Sequence, residues 1–220
     1  MFPDYIFPIP SVYTKSQEDT SEIQRYQNKN VKDRWELYTT FKKNIKKHLL
    51  NEQKGRCMFC RRVIDVSQAP AELEHLLPKS KYPQFETLPE NLVLTCHCCN
   101  NHKSDNNPLV HPHSNPSQQT YPNQSVDFRT VYPYLDQYEQ HIDIDNTTGV
   151  AVKLSQKGEV TISWYNLNRP ELIIRRHDEL NRETFPLPRQ LMIRLCEADG
   201  ETQKSILAQI QKIINDNTTH

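Results

Sequence analysis

Three short stretches decide the fold of this chain, namely CMFC at 57–60, AELEHLLPK at 71–79 and NLVLTCHCCNNHK at 91–103. The first and third stretches each contain a C-x-x-C pair, and the second contains an acidic residue directly before a histidine. Metal-binding and proton-transferring side chains are therefore concentrated in the second quarter of a 220-residue sequence. This concentration indicates a metal-braced site, and we expect the remaining sequence to position it.

The two C-x-x-C pairs predict a structural zinc site. The predicted ligands are Cys57, Cys60, Cys96 and Cys99. Zinc binds four thiolates in a tetrahedron at about 2.3 Å, and the tight turn of a C-x-x-C pair presents two of them at once. Cys98 leaves one alternative open, because it could take the place of Cys99. We expect Cys196, which lies in an apolar helical pattern, to be a small buried core residue.

The charge of the chain is balanced, with 27 basic and 27 acidic residues. A protein that binds nucleic acid unaided is usually basic, so we expect a local patch or a partner protein to supply part of any such affinity. Residues 25–62 contain a basic patch in which twelve Lys and Arg face three acidic residues. The patch consists of Arg25, Lys29, Lys32, Arg34, Lys42, Lys43, Lys46, Lys47, Lys54, Arg56, Arg61 and Arg62. It indicates contact with phosphates, and the alternative is a solvated helix face balanced elsewhere in the fold.

The cysteine content and the absence of targeting segments predict a cytoplasmic protein. The first ten residues, MFPDYIFPIP, lack the charged and apolar regions of a signal peptide. No apolar run approaches the roughly 18 residues of a membrane span, so we expect no membrane association. Six cysteines without a secretory signal are typical of metal sites and thiols in a reducing compartment.

Hydrophobic periodicity gives a coarse map of the first 130 residues. Residues 1–24 are aperiodic and predict an extended arm, whereas apolar residues recur at helical spacing over 28–53. Short strands are expected at Val63–Ile64 and at 92–94. Residues 104–130 are rich in Asn, Pro and Ser and predict a loop.

The remainder of the chain predicts one hairpin and three helices. Apolar residues alternate over 150–154 and again over 160–164, with Lys157-Gly158 between them, which favours a β-hairpin. Pro170 is expected to begin a helix that extends to about Asn181. Further helices are expected near 187–198 and 202–215.

The ordered motifs of the decisive stretches are similar to those of one nuclease family. They read C-x-x-C, acidic-His-x-x-Pro, Asn-Leu-x-x-x-Cys and Cys-Asn-x-x-Lys over about residues 56–104, and this order resembles the HNH endonuclease family. The resemblance implies a zinc-braced ββα-metal core. We therefore expect an α+β fold, mainly helical, with this core and a C-terminal β-hairpin plus helices. The expected segments are an arm and basic helix at 1–54, the nuclease core at 55–110 and the hairpin and helical region at 111–220.

The same resemblance implies roles for the polar residues of the motifs. His75 would be the general base that activates water, with a pKa near the operating pH. Asn91 would hold the loop after His75 through a side-chain hydrogen bond to backbone. In a structural interpretation, Glu74 and His75 would form only a surface ion pair and Asn91 would cap a turn. His97 and His111 are expected to be exposed or structural.

The resemblance also implies a second metal ion. Glu74 and Asn100 would hold one divalent cation, with Mg²⁺ preferred because both ligands offer oxygen atoms. His102 is the rival to Asn100, since many family members use a histidine as the final ligand. Lys103, one helical turn after Asn100, would contact the phosphate.

The C-terminal half carries a second, looser resemblance. Its TI…LNRPxL…R pattern over 161–176 is similar to HNH effectors of Septu and retron-associated anti-phage systems, which implies bacterial defence and a regulatory ATPase partner. We expect a metal-dependent endonuclease that cleaves DNA, with RNA or tRNA as the alternative substrate. A zinc-stabilised nucleic-acid-binding module without activity is the alternative function. The C-terminal helices would then serve as a packing module or as a binding surface for a partner.

Overall fold

The computed structural model describes residues 8–28, 34–64, 71–180, 191, 194–195 and 198–217. The helices are α1 (Gln17–Tyr26), α2 (Thr39–Glu52), α3 (His97–Lys103), α4 (Gln156–Trp164), α5 (Pro170–Leu180) and α6 (Gly200–Asn217). The strands are β1 (Glu72–His75), β2 (Leu92–Thr95), β3 (Ile142–Ile144) and β4 (Ala151–Lys153). Helices with two small antiparallel strand pairs confirm the predicted α+β class.

Helix α1 corrects the prediction of an extended arm over residues 1–24, of which the first seven lie outside the described residues. The backbone N–H of Asp19 donates to the Ser16 hydroxyl at 3.1 Å, and the N–H of Ser16 donates to the Asp19 carboxylate at 2.8 Å. This reciprocal capping box satisfies two N–H groups at the helix start. The Ser16-x-x-Asp19 pattern was therefore a helix signal that apolar periodicity did not reveal.

Helix α2 begins at Thr39, later than the predicted helix over 28–53, and residues 29–33 of that prediction lie outside the described residues. The Glu22 carboxylate on α1 accepts hydrogen bonds from the backbone N–H groups of Thr40 and Phe41, at 3.0 and 2.9 Å. A neighbouring helix thus supplies the cap that fixes the first turn. The predicted apolar stripe of Trp35, Tyr38, Phe41, Ile45 and Leu49 is buried, and its last three residues belong to α2.

Strands β1 and β2 form an antiparallel hairpin in which Glu74 pairs with Val93. Helix α3 follows β2 directly, so the order is that of a ββα unit. The strand expected at Val63–Ile64 is wrong, because Val63 forms only an isolated bridge with Arg56. The sequence did not predict β1, because its two glutamates do not give the apolar pattern of a strand, although the second half of β1 is buried.

The hairpin predicted over 150–164 is also wrong, since β4 pairs with β3 and residues 156–164 are helical. The Ser155 hydroxyl accepts the N–H of Gly158 at 3.1 Å and caps α4. A Cβ atom at Gly158 would lie 1.8 Å from the carbonyl oxygen of His141. The glycine therefore permits a helix to approach strand β3 closely, and it does not form a turn.

The C-terminal helices agree with the sequence prediction where they are described. Helix α5 begins at Pro170, and α6 covers the helix expected near 202–215. Ile206 and Ile210 of α6 pack with Leu195 in a small separate cluster. Most of the helix expected near 187–198, including Cys196, lies outside the described residues.

The larger hydrophobic core of the described residues extends from Ile9 to Leu172, so all three expected segments contribute to it. The aromatic side chains at its centre include Tyr38, Phe59 and Tyr165, and the last two rings stack with centroids 3.6 Å apart. Through this core, both α2 and the C-terminal half pack against the ββα unit. Among the described residues, no helix is long and apolar enough to cross a membrane.

Candidate active site and metal centre

The four cysteines predicted as zinc ligands lie together. Their sulfur atoms all lie within 4.8 Å of one another, and the Sγ atoms of Cys60 and Cys96 are 3.8 Å apart. A regular tetrahedron with bonds of about 2.3 Å separates its sulfurs by about 3.8 Å, so the group has the dimensions of a zinc site. Cys98 is exposed and lies outside the group, which favours Cys99 over Cys98.

Backbone geometry presents the first cysteine pair. The N–H of Arg61 donates to the carbonyl of Cys57 at 3.0 Å, and Arg61 takes a left-handed φ of 65° that closes the turn. The Gln53 side chain joins this turn to β2, because its amide nitrogen donates to the carbonyls of Arg56 and Leu94, both at 2.9 Å. Its amide oxygen accepts the N–H of Leu94 at 2.8 Å. Gln53 is a supporting residue without any motif signal in the sequence.

His75 ends strand β1 in a buried position beside Trp35, with ring centroids 4.5 Å apart. Its Nε2 atom lies 3.0 Å from the carbonyl oxygen of Glu86. A carbonyl oxygen only accepts, so Nε2 carries the proton and Nδ1 retains the lone pair. The side chain therefore has the tautomer that a general base requires.

The basicity of His75 is lower than we expected from the sequence. The pKa of the imidazole is lowered to about 3, mainly by burial and to a smaller extent by the ammonium groups of Lys79 and Lys103, while the hydrogen bond to the Glu86 carbonyl opposes this shift. The expectation of a pKa near the operating pH is therefore corrected. His75 is neutral at neutral pH, because its charged form loses hydration in this position.

Asn91 is fully buried directly before β2. Its Oδ1 atom accepts the N–H of Leu77 at 2.7 Å, and its Nδ2 atom donates to the carbonyls of Leu77 and Phe85, both at 3.1 Å. These bonds connect the segment that follows His75 to β2. The contact has the form expected for a residue that holds this loop, and its contribution to catalysis remains a prediction.

Glu74 and Lys103 form a buried ion pair. The Lys103 ammonium lies 2.6 Å from Glu74 Oε1 and donates to the carbonyl of His75 at 2.7 Å. Burial raises the pKa of Glu74, and the charge of Lys103 offsets part of the rise. Only 1% of Lys103 is exposed, because α3 packs this residue against the hairpin. The Lys103 ammonium is therefore already engaged by Glu74 and by the His75 carbonyl, and its expected contact with a phosphate remains a prediction.

Asn100 lies on α3 and contacts Glu72, a residue that the sequence motifs did not single out. Its Nδ2 atom donates to Glu72 Oε2 at 2.6 Å, and Glu72 Oε1 lies 2.8 Å from His97 Nδ1. Because a carboxylate only accepts, the amide nitrogen faces Glu72 and the amide oxygen faces away from it. Glu72 precedes Glu74 by two positions, so the alternation of β1 could have indicated that they share a face. His97 is exposed, as expected, and so is His111.

One open cleft of about 490 Å³ brings most of these residues together. Its lining includes Trp35, Glu36, Glu74, His75, Lys79, Asn100, Lys103 and Asp105. His102 is exposed and is not part of this lining, so the geometry favours Asn100 over its rival. Apart from the cysteines, the described residues contain no close group of three His, Cys, Asp or Glu ligand atoms. A carboxylate and an amide oxygen with open space suit Mg²⁺, which keeps several of its waters.

Comparisons with known proteins agree with this geometry. Residues 57–106 match the family model described as HNH endonuclease. These residues form an HNH endonuclease domain. A 72-residue stretch is also 33% identical to the Septu protein PtuB of Bacillus thuringiensis. That match covers 31% of this chain and 28% of the relative.

The HNH domain borders part of the predicted basic patch. The ammonium of Lys42 lies 5.6 Å from the centre of the Trp35 ring, and that of Lys79, outside the patch, lies 5.8 Å from it. Lys42 also lies 2.8 Å from the Glu36 carboxylate. Other members of the patch are structural, since Arg34 binds Glu86. Some residues of the patch therefore stabilise the fold, whereas Lys42 lies at the rim of the cleft.

Proposed function

We propose that the protein is a metal-dependent endonuclease that hydrolyses phosphodiester bonds, with DNA as its substrate. The observation that carries this proposal is the convergence of Glu74, His75 and Asn100 on one cleft of the HNH domain. The three side chains are a general base and two oxygen ligands, which together suit metal-assisted hydrolysis.

His75 would remove a proton from the attacking water through Nδ1. Its Nε2 hydrogen bond to the Glu86 carbonyl fixes both the tautomer and the orientation of the ring. Trp35 packs against the ring and limits its rotation. A polyanionic substrate in the cleft would raise the pKa of His75 from its depressed value, because negative charge favours the imidazolium.

Glu74 and Asn100 would hold a divalent cation, for which we propose Mg²⁺. The cation would supply charge stabilisation to the phosphate and the leaving oxygen. Lys103 holds one carboxylate oxygen of Glu74, and Glu72 orients the amide of Asn100, so both ligands are positioned by protein contacts. The four-cysteine site is structural in this proposal, because four thiolates leave zinc no open position for a substrate.

Lys42 and Lys79 would guide the substrate backbone into the cleft. Both ammonium groups lie at the Trp35 face, and Trp35 contacts His75. Such contacts read phosphates and not bases, so they also accommodate RNA as the alternative substrate.

We further propose that the protein acts in bacterial anti-phage defence beside a regulatory partner such as an ATPase. The similarity to a Septu protein and the balanced charge support this proposal. Residues 55–110 would be the catalytic segment, with 1–54 and 111–220 supporting it. A reducing cytoplasm would keep the zinc thiolates intact.

The test is an incubation with plasmid DNA and with total RNA, each with Mg²⁺ or with EDTA. The proposal predicts cleavage of plasmid that requires Mg²⁺ and that Glu74→Gln abolishes. Glu159→Gln is the control, since Glu159 on α4 forms an exposed pair with Lys153 on β4. Cleavage of RNA but not of plasmid would show that the substrate is RNA and not DNA. Cleavage that persists in EDTA, or no cleavage even with a co-purified partner, would contradict the proposal.

A further inference from the structure

The Leu167-Asn168-Arg169-Pro170 turn between α4 and α5 contains a buried guanidinium that contacts the cysteine cluster. Arg169 is 7% exposed, and its Nη2 atom lies 3.7 Å from Cys99 Sγ, at N–H···S distance. Its Nη1 atom donates to the carbonyls of Tyr165 and Asn166, at 3.2 and 3.0 Å. The charge of Arg169 is therefore directed at a predicted zinc ligand by contacts with the end of α4.

The neighbouring residues hold this turn in place. The Asn168 amide accepts the N–H of Ala151 at 2.7 Å and donates to its carbonyl at 2.9 Å, which fixes the turn to β4. Arg176 on α5 donates to the carbonyl of Leu167 at 2.7 Å. Three C-terminal elements thus determine where the Arg169 guanidinium lies.

A four-thiolate zinc site carries negative charge that a nearby positive group can stabilise. Four thiolates around one Zn²⁺ carry a net charge of about −2. Cys57 and Cys99 are fully buried, so water cannot solvate that charge on their side of the cluster. Burying uncompensated charge is costly, and arginine is the side chain that keeps its positive charge in a buried site.

We propose that Arg169 is an outer partner of the zinc site, which stabilises the bound ion through an N–H···S hydrogen bond and its positive charge. This inference rests on the zinc assignment within the proposed function. The C-terminal half would then complete the metal centre of the HNH domain, and the LNRP pattern would have a structural reason within this chain. Loss of such an outer contact costs about 10- to 100-fold in metal affinity.

The test measures zinc affinity of the full-length chain by competition with a chromophoric chelator, and no nuclease activity is needed. Arg169→Gln removes the charge, Arg169→Lys keeps it without the planar fork, and Arg176→Gln removes a buried arginine that contacts no sulfur among the described residues. Asn168→Ala is a second control, which weakens the same turn. We expect about 10- to 100-fold weaker zinc binding for Arg169→Gln and an intermediate loss for Arg169→Lys. Asn168→Ala and Arg176→Gln weaken the turn but keep the guanidinium, so we expect both to lose less zinc affinity than Arg169→Gln.

Stability and spectroscopy separate this role from simple packing. Urea denaturation ranks the variants by free energy of unfolding, and Co²⁺ substitution reports the sulfur-to-metal charge-transfer band. We expect that band to shift in Arg169→Gln and to stay in place in the controls. Equal zinc affinity of Arg169→Gln and a control of equal stability would overturn the inference. A wild-type chain without zinc would instead overturn the zinc assignment itself.

Discussion

The two candidate metal sites of the HNH domain differ in whether their ligand side chains also bind other groups of the protein. The cysteine site consists of four ligands of one kind, whose sulfurs lie within 4.8 Å of one another. The cleft offers a carboxylate and an amide that also bind neighbouring protein groups, namely Lys103 and Glu72. A thiolate site is thus specified by spacing, whereas the chemistry of the cleft depends on packing around each residue.

Removal of a thiolate should produce the largest effect. Cys57→Ser is expected to lose zinc and cooperative unfolding, because structural zinc contributes roughly 10 kcal/mol or more to small zinc domains. Cys98→Ser is the matched control, since Cys98 is exposed outside the cluster. Metal analysis and thermal denaturation give the result. Loss of zinc from Cys98→Ser would overturn the ligand assignment.

Asn91 tests the packing that supports the cleft. Asn91→Ala leaves the buried N–H of Leu77 and two carbonyls without their side-chain partner, and we expect it to cost about 3 kcal/mol of unfolding free energy. Urea denaturation measures this loss. Asn101→Ala is the control, because Asn101 is exposed and bonds only to His97 in the described residues. A similar loss in both variants would contradict the role of Asn91.

These two sites also show what the sequence could predict. The cysteine spacing predicted the zinc site, and the resemblance of the ordered motifs to the HNH family implied the ββα unit. The structure brings the four cysteines together in one group, and it brings Glu74, His75 and Asn100 together in one cleft. The prediction of a hairpin over 150–164 was wrong because Gly158 does not form a turn. It allows α4 to approach His141 closely, and this contact depends on tertiary packing. The buried ion pair of Lys103 with Glu74 was missed for the same reason, since nothing in the spacing of Lys103 indicates that α3 buries it. Gln53 and Glu72 act through partners that are distant in sequence.

The depressed pKa of His75 predicts a pH dependence of stability. Because burial lowers the folded-state pKa from 6.5 to about 3, the unfolded chain binds an extra proton between these values. The contribution of neutral His75 is complete above pH 6.5 and decreases as the pH falls toward 3. Between pH 7 and 5 the wild type should lose about 2 kcal/mol more unfolding free energy than His75→Gln. Parallel urea curves for both proteins over this range would contradict the buried, neutral imidazole.

The smallest effect is expected at the rim of the cleft. Lys42→Gln should weaken binding of a DNA duplex a few-fold and reduce the salt dependence by about one phosphate contact. Lys43→Gln is the matched control, because Lys43 is exposed on the same helix and has no contact with Trp35 in the described residues. Fluorescence polarisation over a salt series, in EDTA to prevent cleavage, measures both variants. Equal effects would mean that the whole helix attracts DNA and that the rim has no special role.

The most direct test of the central claim is the cleavage rate of His75→Ala in Mg²⁺, compared with wild type and His102→Ala. We expect His75→Ala to lose at least about 100-fold in rate and to retain its zinc and its fold, because the general base is gone. His102→Ala should cleave at the wild-type rate, since His102 is exposed outside the cleft. Full activity of His75→Ala would show that His75 is not the general base.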